Sequence, residues 1–99
     1  MSEQDDRIEI ENFTSPGHIK RVDRAKYMAM RNALIAVLPA VSPGISVAEA
    51  KAALLSALPE DLYPGGVKAG WWLKGVQLDL EAKGIIVREE TKPLRFHLR

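Results

Sequence analysis

The sequence predicts a small α+β domain, built from three helices and a C-terminal β-hairpin and preceded by a short strand. Three observations carry this expectation. Apolar residues recur at helical spacing over 23–38, 46–58 and 67–83, while the stretches 7–11 and 94–98 alternate apolar and charged residues. Proline, glycine and capping residues fall where one period gives way to the next. A chain of 99 residues suits one core, burying roughly 60–65% of the surface its unfolded form exposes.

Each element has a local reason. Arg7-Ile8-Glu9-Ile10-Glu11 places both isoleucines on one face, as a half-buried strand does, and Ser15-Pro16-Gly17 breaks it. Asp23 is a good N-cap for a first helix that reaches Leu38, where Pro39 stops it; Tyr27, Met30, Leu34 and Val37 form its buried stripe, widened by Met28 and Ile35. After the turn Val41-Ser42-Pro43-Gly44, the extended residue Ile45 leads into Ser46-Val47-Ala48-Glu49, a capping box. The helix it opens is expected to run to Leu58, with Val47, Ala50, Leu54 and Ala57 or Leu58 inward and Pro59 as its stop. A Pro- and Gly-rich loop, 59–66, precedes the third helix, expected over 67–83 and closed by Gly84 in the left-handed cap position. Ile85-Ile86-Val87-Arg88, a turn at Glu90-Thr91-Lys92-Pro93, and Leu94–Leu98 make the hairpin.

Charge divides the chain into an acidic N-terminal arm, 1–17, and a basic body, 18–99. Glu3, Asp5, Asp6, Glu9 and Glu11 against Arg7 give residues 1–12 a charge of −4, so the remainder carries +5 of the net +1. Lys20, Arg21, Arg24, Lys26 and Arg31 form one basic group, and Arg88, Lys92, Arg95 and Arg99 another. Such groups attract phosphates or form a solvated helix surface. The absence of cysteine excludes disulfides, thiolate metal sites and a cysteine nucleophile. Without a signal-like start or an apolar run long enough to span a bilayer, a cytoplasmic, membrane-free setting is expected.

The order of helix, short extended segment, capped helix, loop, helix and hairpin is that of a winged helix-turn-helix domain. Leu80-Glu81-Ala82-Lys83-Gly84-Ile85-Ile86 resembles the junction between third helix and wing in many bacterial winged-helix regulators, and Gly44-Ile45-Ser46-Val47-Ala48-Glu49 is similar to their strand before the second helix. The long loop before the third helix and the two tryptophans near its start depart from that pattern. The chain also resembles a family of small bacterial proteins of unknown function, in the segment from Pro64-Gly65-Gly66 to Gly84 and in Lys92-Pro93-Leu94-Arg95.

The third helix holds most of the functional information, because in winged-helix DNA binders it enters the major groove. Ala69, Trp72, Leu73, Val76 and Leu80 gather on one side and are assigned to the core; Val67, Trp71, Gly75, Leu78 and Ala82 gather on nearly the opposite side. Two apolar faces need two partners. The arm or the wing of the same chain, a second subunit, or nucleic acid at Trp71 would each cover the second face. In the wing, Leu94, Phe96 and Leu98 are expected to face the core, leaving Arg95, His97 and Arg99 outward. Those cations meet phosphates, or they meet Glu9 and Glu11 if the arm strand pairs beside the last strand.

Catalytic constellations are sparse. His18 and His97 lack metal-like spacing and read as surface imidazoles; Ser42, Ser46 and Ser56 lack a nucleophile elbow; Asp79 and Glu81 point in different directions on their helix and read as solvated charges. Gly65-Gly66-Val67-Lys68 is similar to a phosphate cradle but lacks its consensus, and reads as a hinge or close packing, or else as free helix amides that with Lys68 hold an anion such as a DNA phosphate. The expectation is therefore a non-enzymatic binding module without cofactor or metal. Its nucleic-acid contacts are Lys68, Lys74, Gln77, Lys92 and Arg95, with Gln77 the base reader; the alternative is a homodimer or protein partner anchored on Val67, Trp71 and Leu78.

Overall fold

The computed structural model describes residues 6–99, so Glu3 and Asp5 of the acidic arm lie outside the described residues. Within it, strand β1 (Arg7–Ile10) pairs antiparallel with β2 (Lys20–Asp23), and α1 (Arg24–Val37) follows directly. A two-residue strand β3 (Ile45–Ser46) leads into α2 (Val47–Leu54); α3 (Ala69–Ala82), β4 (Ile86–Glu89) and β5 (Arg95–Leu98) complete the chain. The strands form two small antiparallel sheets, β1-β2 and β3-β5-β4. The protein is thus α+β, with three helices and two small sheets.

The capping signals act as the sequence implies. Asp23 accepts a hydrogen bond from the Lys26 amide at the start of α1, and Ser46 and Glu49 exchange both bonds of the capping box at 3.1 and 2.9 Å. Gly84 follows α3 at φ 74°, and the Ile85 amide donates to the Leu80 carbonyl, as in a left-handed helix stop. The α2 turn tightens to a 3-10 turn over Leu55–Ala57 instead of continuing to Leu58, which is extended before Pro59. Helix α3 begins two residues later than expected because Lys68 is left-handed, at φ 62°.

Tyr27, Met30 and Leu34 of α1, Ala50 and Leu54 of α2, and Ala69, Trp72, Leu73, Val76 and Leu80 of α3 enclose the core, closed by Ile86 and Phe96 from the second sheet. Val37 and Ile35 are half-buried, whereas Met28 is exposed. Tyr63, from the loop, is also buried and donates to the Lys26 carbonyl at 2.7 Å. At Gly44 the chain passes so close to β5 that a Cβ would stand 2.0 Å from the Phe96 carbonyl oxygen. No side chain fits there.

The arm strand does not pair beside the last strand. Its partner is β2, with Ile8 opposite Val22 and Ile10 opposite Lys20, and the strand next to β5 is β3. Alternation turns Ile8, Ile10, Lys20 and Val22 to one face of the hairpin. Ile10 and Val22 are buried on that face, which brings the hairpin onto α3.

Candidate functional site

Helix α3 is divided along its length. From Val76 to Glu81 every residue is buried, whereas Gly70, Trp71 and Lys74 near its start are exposed. The cause is legible in its two apolar faces. Val76 and Leu80 enter the core while Leu78 is covered by the N-terminal hairpin, the Phe13 amide donating to the Leu78 carbonyl. With both sides covered, no wet face remains for the polar residues between them.

Asp79 and Glu81 are therefore not solvated charges, and each is fully engaged. The Asp79 carboxylate accepts from the Tyr27 hydroxyl at 2.5 Å, the Lys83 ammonium at 2.6 Å and the Glu11 amide at 2.8 Å, joining α3 to α1 and to the arm. Glu81 accepts from Arg88 Nε and Nη2 at 2.8 and 3.1 Å and from Gln77 Nε2 at 2.7 Å, joining α3 to β4. Buried charges of this kind need partners from several elements. Burial first, then the hydrogen bond to Asp79, pushes the Tyr27 phenol well above its ordinary pKa, so it remains a donor at neutral pH. Burial, followed by the charge of Asp23, does the same to Tyr63.

Several expected site residues change role. Gln77 is 3% exposed and bonded to Glu81, its Oε1 left without a partner, so it does not present an amide to a base edge. Leu78, 8% exposed beneath the hairpin, is closed to a second subunit. His97 is not a free surface imidazole: its Nδ1 lies 2.6 Å from the Glu89 carboxylate, which also accepts from the Gly44 amide at 2.7 Å. Arg95 donates to the Gly44 carbonyl at 3.0 Å and stands 3.8 Å from Glu49. Arg99 donates to the Gly84 carbonyl. The outward side chains of the wing thus meet partners in their own sheet and the neighbouring loop and helix, not Glu9 and Glu11. Lys92 remains exposed on the turn between β4 and β5.

The remaining candidates lie at the start of α3. Val67 and Trp71 are 54% and 55% exposed, and Lys68 and Lys74 are exposed beside them. The Trp71 ring meets Trp72 edge-on, centroids 5.3 Å apart, and the Lys20 ammonium stands 4.6 Å above it. Lys20 reaches this ring because the β1-β2 register turns it to the same face as Ile10. Lys51 of α2 also approaches, its ammonium 3.4 Å from where a Gly70 Cβ would sit. Beside Trp71 the hairpin and α3 enclose a partly open cleft of about 220 Å³. Ile10, Tyr27, Trp72 and Gly75 line it, with Lys20, Lys74, His18, Asn12 and Glu11 also contributing.

Neither the placement of Lys20 over Trp71 nor the burial of Gln77, Asp79 and Glu81 is anticipated by the sequence reading. The signal for the second was present, since a helix with opposed apolar stripes cannot keep Gln77, Asp79 and Glu81 wet. Among the described residues there is no group of three or more His, Cys, Asp or Glu that could hold a metal ion, and no helix long and apolar enough to cross a membrane.

The fold and this surface define an α+β domain with one exposed helix end, flanked by lysines and an adjoining cleft. The chain belongs to the family described as a family of unknown function (DUF6958), whose model matches residues 7–96. No curated protein and no solved structure matches it.

Proposed function

We propose that the chain is a small, non-enzymatic winged-helix binding module that holds nucleic acid at the N-terminal half of α3 by backbone charge and base stacking, without reading sequence. The observation that carries this reading is the half-exposed Trp71 ring with Lys20, Lys68 and Lys74 around it. An aromatic face among lysines suits the bases and phosphates of a single strand, because every base has a π-face. The order α1, β3, α2, α3, β4, β5, with β3 joined to β5 beside the hairpin, supports the winged-helix assignment. With Gln77 buried and Arg95 engaged, the surface offers charge and stacking, not a base code. Tyr27, Asp79, Glu81 and Arg88 hold elements together in this reading and serve no chemistry. A chain without cysteine suits the cytoplasmic setting that this reading proposes.

Fluorescence anisotropy with labelled oligothymidylate and with random duplex tests the proposal. Binding should weaken steeply with salt, and each of Lys68→Gln and Lys74→Gln should reduce the log–log salt slope by about 0.7 on the single strand. Trp71→Ala should weaken single-strand binding about tenfold or more, in line with one lost stacking contact. No binding at low salt, or an unchanged affinity in Trp71→Ala, would sink the reading.

A second reading has its own observation. Val67 and Leu55, 54% and 40% exposed, add apolar area near the start of α3, and an exposed tryptophan in such a patch is a common anchor for a protein partner. Light scattering decides the self-association form: a species heavier than 11.0 kDa that Trp71→Ala dissociates supports a homodimer, and a monodisperse monomer removes it.

A further inference from the structure

We propose that the cleft between the N-terminal hairpin and α3 is a binding site for a small aromatic carboxylate, its ring on the apolar floor and its carboxylate toward Lys20 and Lys74. The cleft exists because of a missing side chain. Gly75 faces the hairpin, and a Cβ there would lie 3.9 Å from Ile10 Cδ1, in ordinary contact. Without a side chain at that position the space beside Ile10 and Trp72 stays open.

Volume and charge narrow the occupant. About 220 Å³ lies below the roughly 300 Å³ at which drug-sized sites begin, and corresponds to about seven waters at their liquid volume. One ring, or two fused rings, fits. The Trp71 and Trp72 rings stand at 79° to one another, a corner that offers a face and an edge to a planar guest. Two lysines against the single carboxylate of Glu11 leave the lining cationic. Among the described residues neither Lys20 nor Lys74 has a carboxylate partner, and Lys20 instead stands over the Trp71 ring. His18 and Asn12, also in the lining, add polar groups that a carboxylate can meet. An apolar floor with a few convergent polar groups is the usual make-up of a small-molecule site.

The inference is independent of nucleic-acid binding, since a carboxylate site in the cleft stands or falls without it. The test uses the whole ¹⁵N-labelled chain and three probes of one shape: benzoate, benzamide and benzylammonium. Benzoate should produce saturable amide shifts centred on Ile10, Gly75 and Leu78, with a Kd of about 1 mM or tighter. Benzamide should bind at least fivefold more weakly, and benzylammonium more weakly still. Lys20→Gln with Lys74→Gln, both on exposed residues, should reduce benzoate binding to the level of benzamide. Gly75→Met should plug the cleft and lower benzoate affinity more than tenfold, while its spectrum reports directly whether the fold is kept. If that variant does not fold, the lysine pair carries the test. Absence of saturable shifts at about 10 mM benzoate, equal binding of benzoate and benzamide, or tighter binding of benzylammonium overturns the proposal.

Discussion

Replacing Arg88 by methionine isolates the energetic role of the buried charges on α3. The Glu81 side chain is 1% exposed and that of Arg88 17%, so the pair sits almost outside water. The hydrogen bond to Glu81 is the largest influence on Arg88 and raises its pKa above the ordinary value, so the guanidinium stays charged. Arg88→Met leaves Glu81 with Gln77 Nε2 as its remaining side-chain donor, and stranding a buried carboxylate costs about 3–5 kcal/mol. The guanidinium also lies 5.1 Å from the Phe13 ring of the arm and 5.9 Å from the Phe96 ring of the wing, adding roughly 0.5–1 kcal/mol for each such contact. Partial exposure of Arg88 places the total near the lower end, about 4 kcal/mol, or roughly 16–32 °C in Tm for a domain of this size. Urea denaturation and thermal melts followed by circular dichroism measure it. The companion variant Glu81→Leu with Arg88→Met removes both charges and should recover most of the loss, because apolar replacement of a whole buried pair is often neutral. A loss within about 0.5 kcal/mol for Arg88→Met, or a double variant no more stable than the single one, refutes the reasoning.

Three further outcomes follow from the same geometry. Gly44→Ala drives a Cβ to 2.0 Å from the Phe96 carbonyl oxygen and should cost about 3 kcal/mol or more, read as a lower urea midpoint, by displacing β3 from β5. Gly75→Ala, whose Cβ meets only Ile10 Cδ1 at 3.9 Å, should raise stability by about 0.5–1 kcal/mol through helix propensity, and a lower urea midpoint would contradict it. Acidification should destabilise the protein through Glu89 and Glu49. Burial raises the Glu89 pKa, but hydrogen bonds from His97 and the Gly44 amide outweigh it and leave the carboxyl below its ordinary 4.5; the Ser46 amide lowers Glu49 likewise. Stability from such depressed carboxyls is fully present above the unfolded value and lost as pH falls through the folded one. Melts between about pH 6 and pH 3 should therefore fall off below about 4.5, and Glu89→Gln should flatten the curve.

Local chemistry made most of the helical frame legible, because caps act within a few residues. Asp23, the Ser46 and Glu49 box and Gly84 each bond inside their own turn, so tertiary context had nothing to override. Strand β2 escaped for the opposite reason. Of the residues on its Ile10 face only Val22 is apolar, and the other, Lys20, is exposed and stands over the Trp71 ring. That is a contact across more than fifty positions, which no local period records. The wing's orientation was readable from Leu94, Phe96 and Leu98, all packed on or in the core. The partners of its outward side chains were not, since Glu49, Glu89 and the Gly44 carbonyl come from three separate segments.

The double-faced α3 helix explains why the candidate surface is confined to one end. A helix whose opposite sides are both apolar must be enclosed wherever both sides are occupied, and enclosure strands whatever polar residues lie between. Here Asp79 and Glu81 resolve that conflict by recruiting donors from α1, the arm and the wing. The same charges that needed rescue thereby fix how three elements sit on the helix. Toward its start the enclosure fails for a geometric reason. The inward hairpin position nearest Trp71 carries Lys20, whose ammonium reaches the indole without covering it. Solvent access and ionic packing are accordingly segregated along one helix, with the aromatic end exposed and the buried ionic end committed to holding the fold.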